Sequence, residues 1–170
     1  MAPPYDCPMA LIRTERLVDA DAPAAWQLVT DWPAQSRWIP LTTVFVDHWG
    51  PAGPGVGTRF TGRSRLGPVH FDDPMEVTEW QPPDGTDSSV GSGSSAAGRC
   101  RVRKLGPWLT GWAELEVRPA GDGALVRWTE EVRVRWVPGI ADPVVGAVGS
   151  AFFARVLRRM AAELAGSRSR

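Results

Sequence analysis

The spacing of apolar residues changes character along the chain. In "ALIRTERLVDA" (10–20) apolar and charged residues interleave, which reads as a first β-strand. Beyond it Trp26 and Val29 lie three apart and Thr30 four from Trp26, so Ala22 to Thr30 reads as a short helix with those residues on one face. Asp21 offers a carboxylate as N-cap, and Pro23 is tolerated in a first turn whose N–H groups have no helical partner. Pro33 ends or redirects that helix. A second short helical piece runs through Ser36 to Trp38, and Pro40 closes it.

From Thr42 the period drops to two. "TTVFVDHW" reads as a strand and "GPAGPG" as a turn. In "VGTRFTGRSR", Thr58, Phe60 and Gly62 oppose Arg59, Thr61 and Arg63. "LGPVHF" fits the same hairpin. "PMEVTEW" sets Met75, Val77 and Glu79 against Glu76, Thr78 and Trp80. "RCRVRKL" turns Cys100 and Val102 inward and Arg99, Arg101 and Arg103 outward. "GWAELEVRP" turns Ala113, Leu115 and Val117 inward and Trp112, Glu114 and Glu116 outward. If these two strands pair, opposite charges face each other, worth roughly 0.2–1 kcal/mol per pair. "ALVRWTEEVRVRW" is the longest strand, with Val126, Trp128, Glu130, Val132, Val134 and Trp136 on its apolar face. Glu130 is the one charged residue there.

After "VPGIADP" the period becomes helical to about Ala165. Val145, Gly149, Phe152, Phe153, Val156, Leu157, Met160 and Leu164 form one stripe, with Arg155, Arg158 and Arg159 toward the other side. The order is strand, two short helices, about six more antiparallel strands and one long amphipathic helix. A sheet with one apolar face must cover it. The fold class is therefore α+β, a strongly curved antiparallel sheet of about six to seven strands wrapped around the C-terminal helix.

Totals narrow the picture. With 170 residues the chain suits one domain, taken as 9–166. Residues 1–8 read as a flexible arm and 167–170 as a flexible tail. The Gly/Ser-rich stretch at about 83–97 reads as a disordered hairpin loop. Nineteen Lys and Arg balance nineteen Asp and Glu, which gives no support for a nucleic-acid partner. Two cysteines, Cys7 and Cys100, make no disulfide framework, and a cytoplasmic location is expected. The N-terminus lacks the pattern of a signal peptide. The apolar run from Val144 to Leu157 is short for a bilayer span, so stable membrane insertion is not expected. No nucleophile elbow, P-loop or dinucleotide fingerprint is present, and no histidine or cysteine pair has ligand spacing. No metal and no cofactor are expected.

"DAPAAWQLVTDWPAQSRWIP", "GVGTRF", "FDDPMEVTEWQPP" and "GWAELEVRPAGDGALVRWTEEV" stand in the order, and with the spacing, in which the chain resembles the START and Bet v 1-like (SRPBCC) superfamily. Within it the chain is most similar to the polyketide cyclase/dehydrase-like group. The likeness runs from about Leu11 to Ala165 and implies the helix-grip fold. It also implies a large apolar cavity between the sheet and the last helix. Fold does not fix function, since the superfamily holds cyclases, lipid carriers and receptors.

Given such a cavity, the strand positions expected to line it are Phe60, Phe71, Met75, Val77, Cys100 and Val102, with Leu115, Trp128, Glu130 and Val132. Gly149, Phe152 and Phe153 would face them from the helix. Trp38, where the second helical piece meets the next strand, is the candidate for the cavity mouth. Trp26 reads as core, and Trp32 as a residue that fixes the bend at Pro33. Gly146 and Gly149 either leave space beneath the helix or let it pack closely on the sheet. Glu130 among apolar neighbours must be paired, hydrated or protonated, which makes it a polar anchor or a general acid/base. A bulge or an ion pair at the sheet end would give it a structural role instead. His70, followed by Asp72 and Asp73, is a weaker catalytic candidate.

Two functions follow. One is binding of a hydrophobic small molecule, such as a lipid, polyketide or isoprenoid, by a monomer or homodimer. The other is a polyketide cyclase, aromatase or dehydratase with a cavity carboxylate as acid/base. A third, an interaction module with an incidental cavity, stays open. Whether the protein is an enzyme is not decided at this level.

Overall fold

Every second residue of the long central strands is apolar on one side and charged on the other, and a computed structural model shows the sheet this produces. It describes residues 9–83 and 97–168. Seven antiparallel strands, β1 (Ala10–Val18), β2 (Thr42–His48), β3 (Arg59–Leu66), β4 (Val69–Gln81), β5 (Gly98–Leu105), β6 (Leu109–Ala120) and β7 (Gly123–Val134), form one sheet. Their order is β1-β7-β6-β5-β4-β3-β2. The strands follow one another by hairpins except β1, which joins the last strand. Two helical pieces, α1 (Ala22–Val29) and a 3-10 turn (Pro33–Arg37), connect β1 to β2, and α2 (Asp142–Arg168) follows β7. This is the helix-grip fold. The expected arm (1–8) and most of the loop at about 83–97 lie outside the described residues, as do residues 169–170 of the tail.

Local chemistry explains the connections. The Asp21 side chain accepts a hydrogen bond from the Ala24 N–H at 2.8 Å and caps α1. Pro33 opens the 3-10 turn rather than only ending α1, because a proline at a first helical position needs no N–H partner. β4 is one strand of 13 residues and joins stretches that looked separate across Pro74, which pairs in register with Thr61.

A register shift in β4 between Val77 and Glu79 corrects the alternation there. Val77 faces Val102 across the ladder, Glu79 faces Arg101, and Trp80 faces Cys100. The bulge moves Glu79 off the apolar face and brings Trp80 onto it, where its ring meets Trp26 edge-on at 5.1 Å. Trp112 does stay on the outer face, with its ring under Arg101 at 4.1 Å.

The helix glycines serve close packing. A Cβ at Gly146 would lie 2.7 Å from the Leu11 carbonyl oxygen, and one at Gly149 would collide with the Ile12 side chain. Ser150 Oγ accepts from the Arg13 N–H at 3.2 Å. The first half of α2 is thus pinned along β1. The second half buries Val156, Leu157, Met160 and Leu164 in the main core. The stretch Gly139–Gly166 is long and apolar enough to cross a membrane by length and composition, more than Val144–Leu157 alone suggested. In this structure it is the helix that the sheet grips.

Candidate functional site

With α2 held against β1 at one side, the concave face of β2–β6 is left partly uncovered. The space between them is a cavity of about 530 Å³. Its wall follows the strand alternation: Phe60 from β3, Phe71 and Met75 from β4, Cys100 and Val102 from β5, Leu115 from β6, and Trp128 and Val132 from β7. Gly149, Phe152 and Phe153 close it from α2. Val144 and Val148 also line it although each is 65% exposed, so the cavity opens to solvent past the first turns of α2.

Three charged side chains, Asp73, Lys104 and Glu130, lie in this apolar wall. Glu130 on β7 faces inward and is 4% exposed. Lys104 on β5 sends its Nζ to Glu130 Oε1 at 3.1 Å and to Asp73 Oδ2 on β4 at 2.5 Å. Trp128 Nε1 donates to Glu130 Oε2 at 3.1 Å. β6 lies between β5 and β7, and its residues opposite Lys104 and Glu130 are Gly111 and Ala113. Absent or short side chains there let the two ions meet across the intervening strand.

Burial dominates the electrostatics. It pushes the Asp73 carboxyl above its ordinary range; Lys104 pulls the other way, and the Glu130 charge adds to the rise. Burial alone would lower the Lys104 ammonium, but the facing Glu130 and Asp73 outweigh it and hold it above its usual value. Burial thus raises the proton affinity of Asp73 even with the Lys104 ammonium beside it. Among the described residues Asp73 Oδ1 is buried with no hydrogen-bond partner, and so is Trp32 Nε1 in the same wall. Burial pushes the Cys100 thiol up to about 12, so it is no nucleophile at neutral pH. Among the described residues no group of three or more His, Cys, Asp or Glu could hold a metal ion.

The residues singled out from the sequence separate clearly. Glu130 and the eleven apolar or small positions named above face one cavity. Trp38 does not. It is 3% exposed, its Nε1 donates to Glu163 Oε2 at 2.8 Å, and its carbonyl accepts from Arg159 at 3.2 Å, so α2 clamps it into the core. Trp32 takes the place expected of Trp38 in the wall, stacked on Phe60 at 4.1 Å. Val77 is fully buried beyond the cavity. His70 is exposed on the outer face near the β3–β4 turn, opposite Arg65, and takes no part in the cluster. Its neighbours split: Asp72 points outward to Arg63 and Asp73 inward to Lys104. Asp73 entered only as a neighbour of His70, and Lys104 and Trp32 went unnoticed as site residues. Carrying the alternation one step further, Cys100–Val102–Lys104 and Phe71–Asp73–Met75, would have found Asp73 and Lys104.

A model of the family described as "Polyketide cyclase / dehydrase and lipid transport" matches residues 9–166. Among curated proteins none matches the sequence. A Thermus thermophilus structure shares 15% identity over 92% of this chain and 98% of its own, with a TM-score of 0.69. A Helicobacter pylori protein shares 15% over 96% and 95%, with a TM-score of 0.68. The Zhui aromatase/cyclase of Streptomyces shares 14% over 95% and 96%, with a TM-score of 0.66. At such identities these likenesses concern the fold.

Proposed function

Since the chain belongs to the polyketide cyclase / dehydrase and lipid transport family, we propose that it binds a hydrophobic small molecule, a lipid, polyketide or isoprenoid, between the sheet and α2. The observation that carries this is the cavity itself. Its volume of about 530 Å³ falls within the range of roughly 300–1,000 Å³ common for ligand sites. Its wall is mostly apolar, and its three charged side chains, Asp73, Lys104 and Glu130, converge on one patch. Burying a matching apolar surface drives binding, and the patch orients what enters.

A second reading, cyclase, aromatase or dehydratase chemistry, is favoured by the state of that patch. Cyclising a chain of ketones needs a proton removed beside one carbonyl and charge stabilised on its oxygen. Glu130 is placed to take a proton, Lys104 to stabilise an enolate, and Asp73, whose proton affinity is raised, to return one. The Zhui protein is an aromatase/cyclase by name, which agrees with this chemistry in a shared fold.

Native mass spectrometry of gently purified protein, followed by organic extraction, tests the first reading. A retained apolar mass supports it. A clean apo mass, with no binding of a neutral solvatochromic dye, overturns it. Turnover of a poly-β-ketone thioester separates the second. Under it Glu130→Gln loses turnover by orders of magnitude and keeps dye binding. Wild-type protein that binds such a chain without converting it leaves binding as the activity.

A further inference from the structure

We propose that the cavity is built for a neutral apolar molecule bearing a hydroxyl group, which donates its hydrogen to Asp73 Oδ1, and that it discriminates against fatty acids. This rests on the cavity being a binding site and names the ligand class it takes.

Donors and acceptors in the wall do not balance. Lys104 Nζ has three N–H donors. One goes to Asp73 Oδ2 and one to Glu130 Oε1. Glu130 Oε2 accepts from the Trp128 indole. Asp73 Oδ1 is left buried with no donor, in a residue that is 8% exposed and lines the cavity. A buried acceptor without a partner is costly, so a ligand that supplies one donor there gains more than its apolar area predicts.

Ligand classes differ in what they bring to that atom. A fatty acid carboxylate brings only acceptors, and a negative charge beside a cluster that already holds two carboxylates against one ammonium. Trp32 Nε1 and the remaining Lys104 N–H could donate to it, but Asp73 Oδ1 would stay without a donor and a third buried carboxylate would face the same single ammonium. A primary ammonium brings three donors to one open acceptor and leaves the rest among Phe60, Phe71 and Met75. An ether brings no donor. A hydroxyl brings one, and its oxygen can still accept the remaining Lys104 N–H.

The test holds the apolar part constant. A neutral solvatochromic dye is bound to wild-type protein and displaced with dodecanol, dodecyl methyl ether, dodecanoate or dodecylamine. Dodecanol is expected to displace it at about tenfold lower concentration than the ether or the acid, the value of one hydrogen bond to a charged group. Asp73→Leu is expected to erase that preference, so that dodecanol and the ether displace the dye at equal concentrations, while Lys104 stays paired with Glu130. Equal potency of alcohol and ether, or a preference for dodecanoate or dodecylamine, overturns the proposal and leaves the cavity a general apolar site. Failure of the dye to bind at all removes the cavity reading itself. The wild-type series decides the matter even if the variant does not fold.

Discussion

Asp72 and Asp73 are neighbours in one strand, and the sheet separates them completely. Asp72 faces out and is held by Arg63 through two hydrogen bonds of 2.7 and 2.8 Å, which lower its proton affinity. Asp73 faces in and meets Lys104, yet burial raises its proton affinity. The same division recurs at Arg103 and Lys104 on β5 and at Glu131 and Glu130 on β7. On the outer face, Arg59–Glu76, Arg99–Glu114 and Arg127 with Glu15 and Glu116 form solvated ladders. On the inner face one cluster of three charges stands in an apolar wall. A β-strand thus sets two carboxylates of one kind to opposite tasks simply through its period of two. Exposed pairs contribute little to stability, whereas removing one partner of a buried set leaves a charge with no solvent to receive it.

Removing the cation on each face separates the two most sharply. Lys104→Met leaves two carboxylates buried together and is expected to cost about 3–5 kcal/mol in urea unfolding. Arg63→Met leaves Asp72 in solvent and is expected to change the midpoint little. The triple replacement Asp73→Asn, Lys104→Met, Glu130→Gln should recover much of the loss, since it neutralises the site as a whole. Similar costs for Lys104→Met and Arg63→Met would mean that the inner cluster is hydrated and that burial does not separate the faces.

A subtler contrast uses one donor type on both faces. Trp128 Nε1 bonds Glu130 at 3.1 Å inside, and Trp112 Nε1 bonds Glu131 at 2.8 Å outside. Distance alone would rank the outer bond higher. Burial reverses the order, because the inner carboxylate has no water to fall back on. A double-mutant cycle of Trp128→Phe with Glu130→Gln is expected to give a coupling of about 1.5–3 kcal/mol. The cycle of Trp112→Phe with Glu131→Gln should give clearly less. Equal couplings would return the argument to geometry alone.

These elements also show how far the sequence carries. Alternation in β5, β6 and β7 placed Cys100, Val102, Leu115, Trp128 and Val132 on one face, and the helical stripe placed Phe152 and Phe153 opposite them. Those patterns are long and regular, so one face buried against one helix is enough to read them. Glu130 stood out as a charge in an apolar row. Its partners did not, for two physical reasons. Pro74 made β4 look like two segments, which hid the alternation Phe71–Asp73–Met75. Lys104 closed a run of basic residues and was absorbed into it, although its place in the alternation is inner. The bulge between Val77 and Glu79 reversed Glu79 and Trp80, and no residue type announces a bulge there. Trp38 and Trp32 exchanged roles because Glu163 and Arg159, more than a hundred residues away, decide which indole α2 clamps. Pairings at that range leave no trace in local periodicity.

The smallest expected effect is also the one most specific to the two aspartates, and it is read in pH. Asp73 has its folded pKa raised above the unfolded value of 3.8, first by burial. Such a group favours the folded state when protonated, so its contribution is present at low pH and is lost as pH rises through the folded pKa. Asp72 has its folded pKa lowered, first by the hydrogen bonds from Arg63. Its contribution is present above the unfolded pKa and is lost as pH falls through the folded one. Asn at either position removes the titration and keeps the shape. Asp73→Asn should therefore raise Tm relative to wild type at neutral pH, because it relieves a buried excess charge. That advantage should shrink as pH falls through the raised folded pKa, where wild-type Asp73 takes up its proton. Asp72→Asn should lower Tm at neutral pH, and its deficit should shrink only below 3.8, as pH falls through the lowered folded pKa. Melts of the three proteins from neutral pH into acid give two difference curves of opposite sign, the Asp73 curve closing at a higher pH than the Asp72 curve. Curves of the same sign would show that Asp73 stays solvated as Asp72 does, and the inner face would then lose its distinction.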